Sequence, residues 1–142
     1  MAAAGIERLK LEKHITEYLD FNLFMSAPGQ GAIAVETNAQ NLEIKKIVST
    51  INDTDSMICT TYERDFMKSM GGGCNYPIGA YSNIVENKIF LQGIVLSLDG
   101  KKSISYEVES LNLEENLALK LSKKFFDNDV SSLLTDIDNE IK

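Results

Sequence analysis

The sequence predicts an α+β fold: a three-stranded antiparallel sheet covered on one face by helices, preceded by separate strand and helix pieces. Three observations predict it. Ile58, Tyr62, Phe66 and Met70 are apolar at four-residue spacing, the signature of one helix face. From Ala80 to Val108 the period changes to two, interrupted at Val85-Glu86-Asn87 and at Asp99-Gly100, both turn signals. Helical spacing then returns in Leu113, Leu117, Leu121 and Phe125, and again in Val130, Leu133, Leu134, Ile137 and Ile141.

Taken in order, Ile6, Leu9, Ile15, Tyr18 and Leu19 suggest two short helices, Ala2–Leu9 and Glu12–Leu19. His14 sits among charged residues and reads as a solvated side chain. Phe21–Met25 is a short apolar run, a strand or a buried connector. Pro28 and Gly29 break the chain at Ser26–Gly31, which composition alone reads as a tight turn between domains. Gly29-x-Gly31-x-x-Ala34 imitates a dinucleotide fingerprint. That fingerprint needs a strand before its glycines and a helix after them, whereas here the β-type run Ala32–Val35 follows.

Asn41–Ile51 reads as a helix, and Asn52–Asp55 supplies residues fit to cap the next one, which runs to about Met70. Its four-residue stripe reads as core, with Cys59 packed beside it. The expected strands are Ala80–Ile84, Lys88–Leu98 and Ser103–Val108, a meander joined by hairpin turns. Asn112–Phe126 and Asp129–Ile141 complete the chain as helices. Residues 53–142, about 90 in all, suffice for a core. Residues 1–51 form no obvious closed unit.

Composition narrows the function. A net charge of −7 argues against nucleic acid and anionic membranes, which require a basic face. No apolar run reaches membrane-spanning length, and residues 1–10 lack the order of a signal peptide, so a cytoplasmic setting is expected. Cys59 and Cys74 form no CxxC pair, and one His leaves the usual zinc sets incomplete; neither a disulfide framework nor a metal site is expected.

The stretch Glu63–Gly79 organises the rest. It ends a helix, stops it with Gly71-Gly72-Gly73, presents Cys74, and enters a strand through Pro77. One glycine is enough to close a helix in the left-handed conformation. Three leave bare backbone beside a thiol, room for a bulky group. Two readings of Cys74 stand on the residues alone: a buried, inert cysteine after a helix cap, or a functional thiol. A helix C-terminus does not favour a thiolate, so activation must come from groups elsewhere.

The run Glu63-Arg64-x-Phe66-x-x-x-Met70-x-Gly72-Gly73-Cys74-x-Tyr76-Pro77-Ile78-Gly79 resembles the signature of the hydroxymethylbilane synthases, also called porphobilinogen deaminases. Ala2-Ala3-Ala4-Gly5-Ile6-Glu7-Arg8-Leu9 and Ala27-Pro28-Gly29-Gln30-Gly31-Ala32-Ile33-Ala34-Val35-Glu36 agree with it, in the family's order. The resemblance covers essentially the whole chain but only the C-terminal part of the family's protein. It implies that residues 1–31 finish the second domain and form a hinge. Residues 32–52 would return to the first domain, and 53–142 would be the third, cofactor-attachment domain.

The family joins porphobilinogen units head to tail, releasing ammonia at each step. A thiolate, a soft nucleophile, suits capture of the electron-poor methylene that remains. The resemblance therefore implies a dipyrromethane cofactor held by Cys74 through a thioether. It puts Arg8 near carboxylates and Ala2 and Gln30 against the pyrroles. It assigns no catalytic residue here, because the family's catalytic aspartate lies in the N-terminal part.

Glu63 and Arg64 match the signature, with structural or interdomain pairing expected of them. Only Arg8 and Arg64 are arginines, too few to hold a growing polycarboxylate. The chain alone is therefore expected to be inactive, with the N-terminal domains as its partner. Thr37-Asn38 stands where the family usually has a small residue and Arg, and Tyr76 where it usually has a β-branched residue. The first change removes one carboxylate-binding charge; the second reads as packing. The alternative is a non-catalytic remnant or interaction module that keeps the third-domain fold. Apolar strands without partners, above all Ala32–Val35, invite self-association.

Overall fold

The computed structural model describes residues 2–21, 23–71, 75–112 and 115–141. Its elements are α1 (Ala3–Arg8), a 3-10 turn (Glu12–His14), α2 (Leu42–Val48) running into a 3-10 turn (Ser49–Ile51), α3 (Thr54–Ser69), β1 (Ile78–Val85), β2 (Lys88–Leu96), β3 (Ser103–Ser110), α4 (Leu117–Phe126) and α5 (Val130–Ile141). The strands form one antiparallel sheet in the order β1-β2-β3, the expected meander.

Capping sets the helix starts. Asp53 opens α3 by accepting the Ser56 N–H at 2.8 Å, and Asn41 opens α2 by accepting that of Ile44 at 3.1 Å. Asn116 caps α4 through the Leu119 N–H at 2.9 Å, so this helix starts five residues later than its spacing suggested. Leu113, which extended that spacing, lies outside the described residues. Glu86 and Asn87, both at positive φ, turn β1 into β2 as a two-residue hairpin. The second connection is longer. Ser97 leaves the ladder to accept the Lys102 N–H, so β2 stops at Leu96 rather than Leu98.

One face of the sheet is core. Ala80, Gly93 and Tyr106 stand abreast on it. A Cβ on Gly93 would lie 2.5 Å from Cε1 of Phe66, so only glycine lets α3 approach this closely. Phe125 on α4 meets Phe66 at 5.2 Å and Tyr106 edge-on at 5.1 Å between ring centroids. Leu117, Leu121, Val130, Leu133 and Ile137 complete the core from α4 and α5. Ser105, Glu107 and Glu109 leave the opposite face of β3 exposed, as a one-sided antiparallel sheet requires.

The first fifty residues depart from expectation. Glu12–Leu19 is not a helix. After Lys10, at φ 56°, only the 3-10 turn forms, and Tyr18 and Leu19 are exposed. A short amphipathic stretch with nothing to pack on gains too little to repay nucleation. Phe21, residues 23–25 and Ala32–Val35 form no strand either; Phe21, Leu23 and Phe24 are exposed rather than a buried connector, and Ile33 is 87% exposed. Among the described residues, no helix is long and apolar enough to cross a membrane.

Candidate functional site

The site is built around the outer edge of β1. An edge strand presents unpaired N–H groups, and here other parts of the chain take them. Ser26 O accepts the Ala80 N–H at 3.1 Å. Glu63, reaching from α3, accepts the Ser82 N–H on Oε1 at 2.8 Å. Its other oxygen, Oε2, accepts the Gly29 N–H at 2.7 Å. One carboxylate thus ties the helix, the sheet edge and the 26–31 turn together. Glu63 is 7% exposed. Burial pushes its carboxyl pKa up, while the bonds from Gly29 and Ser82 pull it back. Truncating it would strand two backbone donors, each costing about 1–3 kcal/mol if left unpaired.

Further contacts hold the segment before the turn. Phe21 stacks on Tyr81 with centroids 4.3 Å apart and planes 9° from parallel. A Cβ on Gly79 would fall 3.1 Å from Cγ of Met25, so that side chain lies close against the strand. Gly29 has φ +74°, and a Cβ there would lie 3.3 Å from Nε of Arg64. Glu63 and Arg64 therefore both meet the 26–31 turn.

Gly72, Gly73 and Cys74 lie outside the described residues, and so does the assignment of the thioether to Cys74. Both flanks of that loop are described. Met70 is buried, and Gly71 closes α3 at φ +73°. On the far side, the Tyr76 hydroxyl donates a short hydrogen bond to the Asp138 carboxylate on α5. That bond, then burial and the nearby negative charge, hold the Tyr76 hydroxyl above its usual pKa. Pro77 O accepts the Leu96 N–H at 3.0 Å. Tyr76 packs against the core as expected and also anchors the loop's exit. Cys59 is half-buried. Burial raises its thiol pKa against a smaller opposing effect of the Ser82 hydroxyl, which keeps this sulfur a poor nucleophile near neutral pH.

The other expected site residues are exposed. Ala2 precedes α1 and Arg8 ends it; Gln30 sits at the corner of the turn closed by its own N–H on Ala27 O at 3.2 Å. Among the described residues, neither Arg8 nor Arg64 forms an ion pair. A Cβ on Gly5, Gly31 or Gly71 would meet nothing within 4 Å. Guanidinium groups without an ion-pair partner among the described residues are donors of the type that suits carboxylates, which a dipyrromethane carries. Asn38 has a local job: its Oδ1 accepts the Gln40 N–H at 2.9 Å just before α2. Ser82 and Asp138 entered the site without any signal in the sequence, since each acts through a backbone group or a distant partner, and Gly29, read only as a chain break, enters through its N–H.

Comparison with known proteins gives consistent matches. The family pattern described as "Porphobilinogen deaminase, C-terminal domain" matches residues 57–127. The pattern described as "Porphobilinogen deaminase, dipyromethane cofactor binding domain" matches residues 1–46. A curated porphobilinogen deaminase of Carboxydothermus hydrogenoformans is 38% identical over 138 residues, which is 96% of this chain and 44% of that protein. One from Prochlorococcus marinus is 35% identical over 138 residues, again 96% of this chain and 44% of the relative. One from Eremothecium gossypii is 37% identical over 116 residues, 78% of this chain and 36% of the relative. The chain thus spans less than half the length of the curated relatives it matches.

Proposed function

The chain belongs to the porphobilinogen deaminase family, and from that premise we propose that it is the C-terminal part of an enzyme that joins porphobilinogen head to tail into hydroxymethylbilane with release of ammonia. The observation that carries this reading is the pair of family patterns, one for cofactor binding and one for the C-terminal domain, adjacent in a single chain.

In this reading residues 1–31 are the end of a second domain and a hinge. Residues 32–52 pack with a first domain, and 53–142 form the cofactor-attachment domain. The N-terminal domains of the same protein supply the remaining carboxylate-binding charge and the catalytic acid. The protein works in the cytoplasm.

A dipyrromethane, when bound, supplies the pyrrole carbon from which the product grows. The chain's own residues hold it. Cys74 would hold it through a carbon–sulfur bond, made by its thiolate to the methylene carbon that ammonia leaves, and thiol reductants do not open such a bond. Arg8 offers a guanidinium to its carboxylates. Gln30 and the backbone at Ala2 lie against the rings, Gln30 with an amide that both donates and accepts. Met70 and Gly71 on one side, and Tyr76 and Pro77 on the other, are fixed by the fold on either side of Cys74 in sequence. The anchor and part of the cradle are present in this chain, but the catalytic acid is not. Incubated alone with porphobilinogen, the chain forms no bilane.

The test uses the complete enzyme. Intact-mass measurement shows one dipyrromethane on the parent protein and on Cys59→Ser, and none on Cys74→Ser, because a serine hydroxyl ionises far less readily than a thiol. An adduct that survives Cys74→Ser, or disappears only with Cys59→Ser, would assign the wrong sulfur.

A further inference from the structure

We propose that Glu63 is a positioning residue: by accepting the Gly29 N–H, its carboxylate fixes the corner of the turn on which Gln30 stands and so sets the angle at which the Gln30 amide meets the pyrroles. This rests on the proposed contact between Gln30 and the cofactor.

Both oxygens of Glu63 are committed, and to different parts of the chain. Oε1 takes Ser82 N–H at 2.8 Å, within the unit that contains α3, while Oε2 takes Gly29 N–H at 2.7 Å, from a segment 34 residues earlier. A carboxylate that served only the sheet edge would need the first bond alone. The second reaches one residue from Gln30. Gly29 itself has little freedom. Its φ of +74° suits glycine, and a Cβ there would sit tightly, 3.3 Å from Nε of Arg64.

The holds on this segment are unevenly placed. Upstream, Phe21 stacks on Tyr81 and Ser26 O accepts the Ala80 N–H. Downstream, a Cβ on Gly31 would meet nothing within 4 Å, and residues 31–36 are exposed. Glu63 is thus the last polar hold on the chain before Gln30. The Gln30 N–H is satisfied by Ala27 O, and its side chain makes no hydrogen bond among the described residues. The turn is held by its backbone, and the amide is left free for a ligand.

The experiment compares Glu63→Gln, Gln30→Ala and the double variant in the complete enzyme. It reads amide exchange at residues 27–31 and in β2, together with kcat and KM. The glutamine side chain keeps the size of Glu63 but offers one acceptor oxygen in place of two. Glu63→Gln speeds exchange at Gly29 about tenfold while β2 amides are unchanged, and it lowers kcat/KM about tenfold. Added to Gln30→Ala, it costs less than about twofold more, because both changes remove one interaction.

If Glu63→Gln does not fold, Glu63→Asp is read in the same way; it keeps the charge but is one methylene too short to reach both donors. Fully additive losses, or unchanged exchange at Gly29, would overturn the positioning role. If Gln30→Ala leaves kcat/KM and cofactor loading intact, the contact between Gln30 and the cofactor fails, and positioning fails with it. Faster Gly29 exchange would then identify that case, because the bond itself is present.

Discussion

Residues 2–52 and residues 53–141 carry apolar side chains in similar patterns and use them in opposite ways. Among the described residues, every buried hydrophobic side chain lies between Phe66 and Ile137. None of the described residues before Asp53 is buried, and Leu42, Ile47 and Ile51 stand 59–76% exposed along one amphipathic stretch. α3 has the same kind of stripe, but the sheet covers it. Periodicity specifies which face wants a partner; it does not supply one. A face prepared and left uncovered within the chain agrees with the proposal that residues 32–52 complete another domain. Phe21 and residues 23–29 lie between these extremes, held to β1 by a stacked ring and the Ala80 N–H on Ser26 O, and to α3 by the Gly29 N–H on the Glu63 carboxylate.

The largest expected effect comes from the covered side. Phe125→Ala empties the space between Phe66 and Tyr106 and costs about 3–5 kcal/mol, enough to unfold much of a marginal domain. Ile33→Ser, on a residue 87% exposed, changes the stability of this chain by no more than about 0.5 kcal/mol. Denaturant unfolding of both variants measures the contrast. Comparable losses would mean that residues 2–52 share the core after all.

A smaller effect tests the strap through pH. Burial raises the Glu63 pKa, so the folded chain keeps that proton to higher pH than the unfolded chain does. Its contribution is therefore fully present below about pH 4.3, the ordinary glutamate value, and is lost as pH rises through the folded pKa. Asp53 and Glu115 work in the opposite sense. Hydrogen bonds from Ser56, and from Ser110 and Lys120, hold their pKa values down, so their contributions are lost as pH falls. The stability gap between the parent and Glu63→Gln should narrow as pH rises above about 4.3. A gap that stays constant or widens would place Glu63 in a more solvated setting.

Much of the covered half was legible in the sequence. Three strands, their order, the four-residue stripe of α3 and its Asp53 cap all follow from local pattern, because there local preference and tertiary packing agree. The errors fall where they part. Glu12–Leu19 and Ala32–Val35 have the right periods but no surface to meet. The start of α4 differs from the spacing because Leu113 extends the apolar period, whereas the helix begins after the Asn116 cap. Structural or interdomain pairing is the expectation for Glu63 and Arg64, yet the contact of Glu63 with Gly29 is invisible in the sequence: the bond goes to a backbone N–H 34 residues away. Tyr76 read as packing, and its hydroxyl's bond to Asp138 depends on where α5 comes to rest.

The division of the chain into a self-sufficient half and an uncovered half is tested most directly by residue-level hydrogen exchange on the 142-residue chain, under conditions where sedimentation shows a monomer. Amides of β2, Ile89–Val95, should exchange only through global unfolding. Those of residues 32–52 should exchange on the order of a thousandfold faster, with Gly29 and Ala80 between. Uniformly high protection across the monomer would contradict the division.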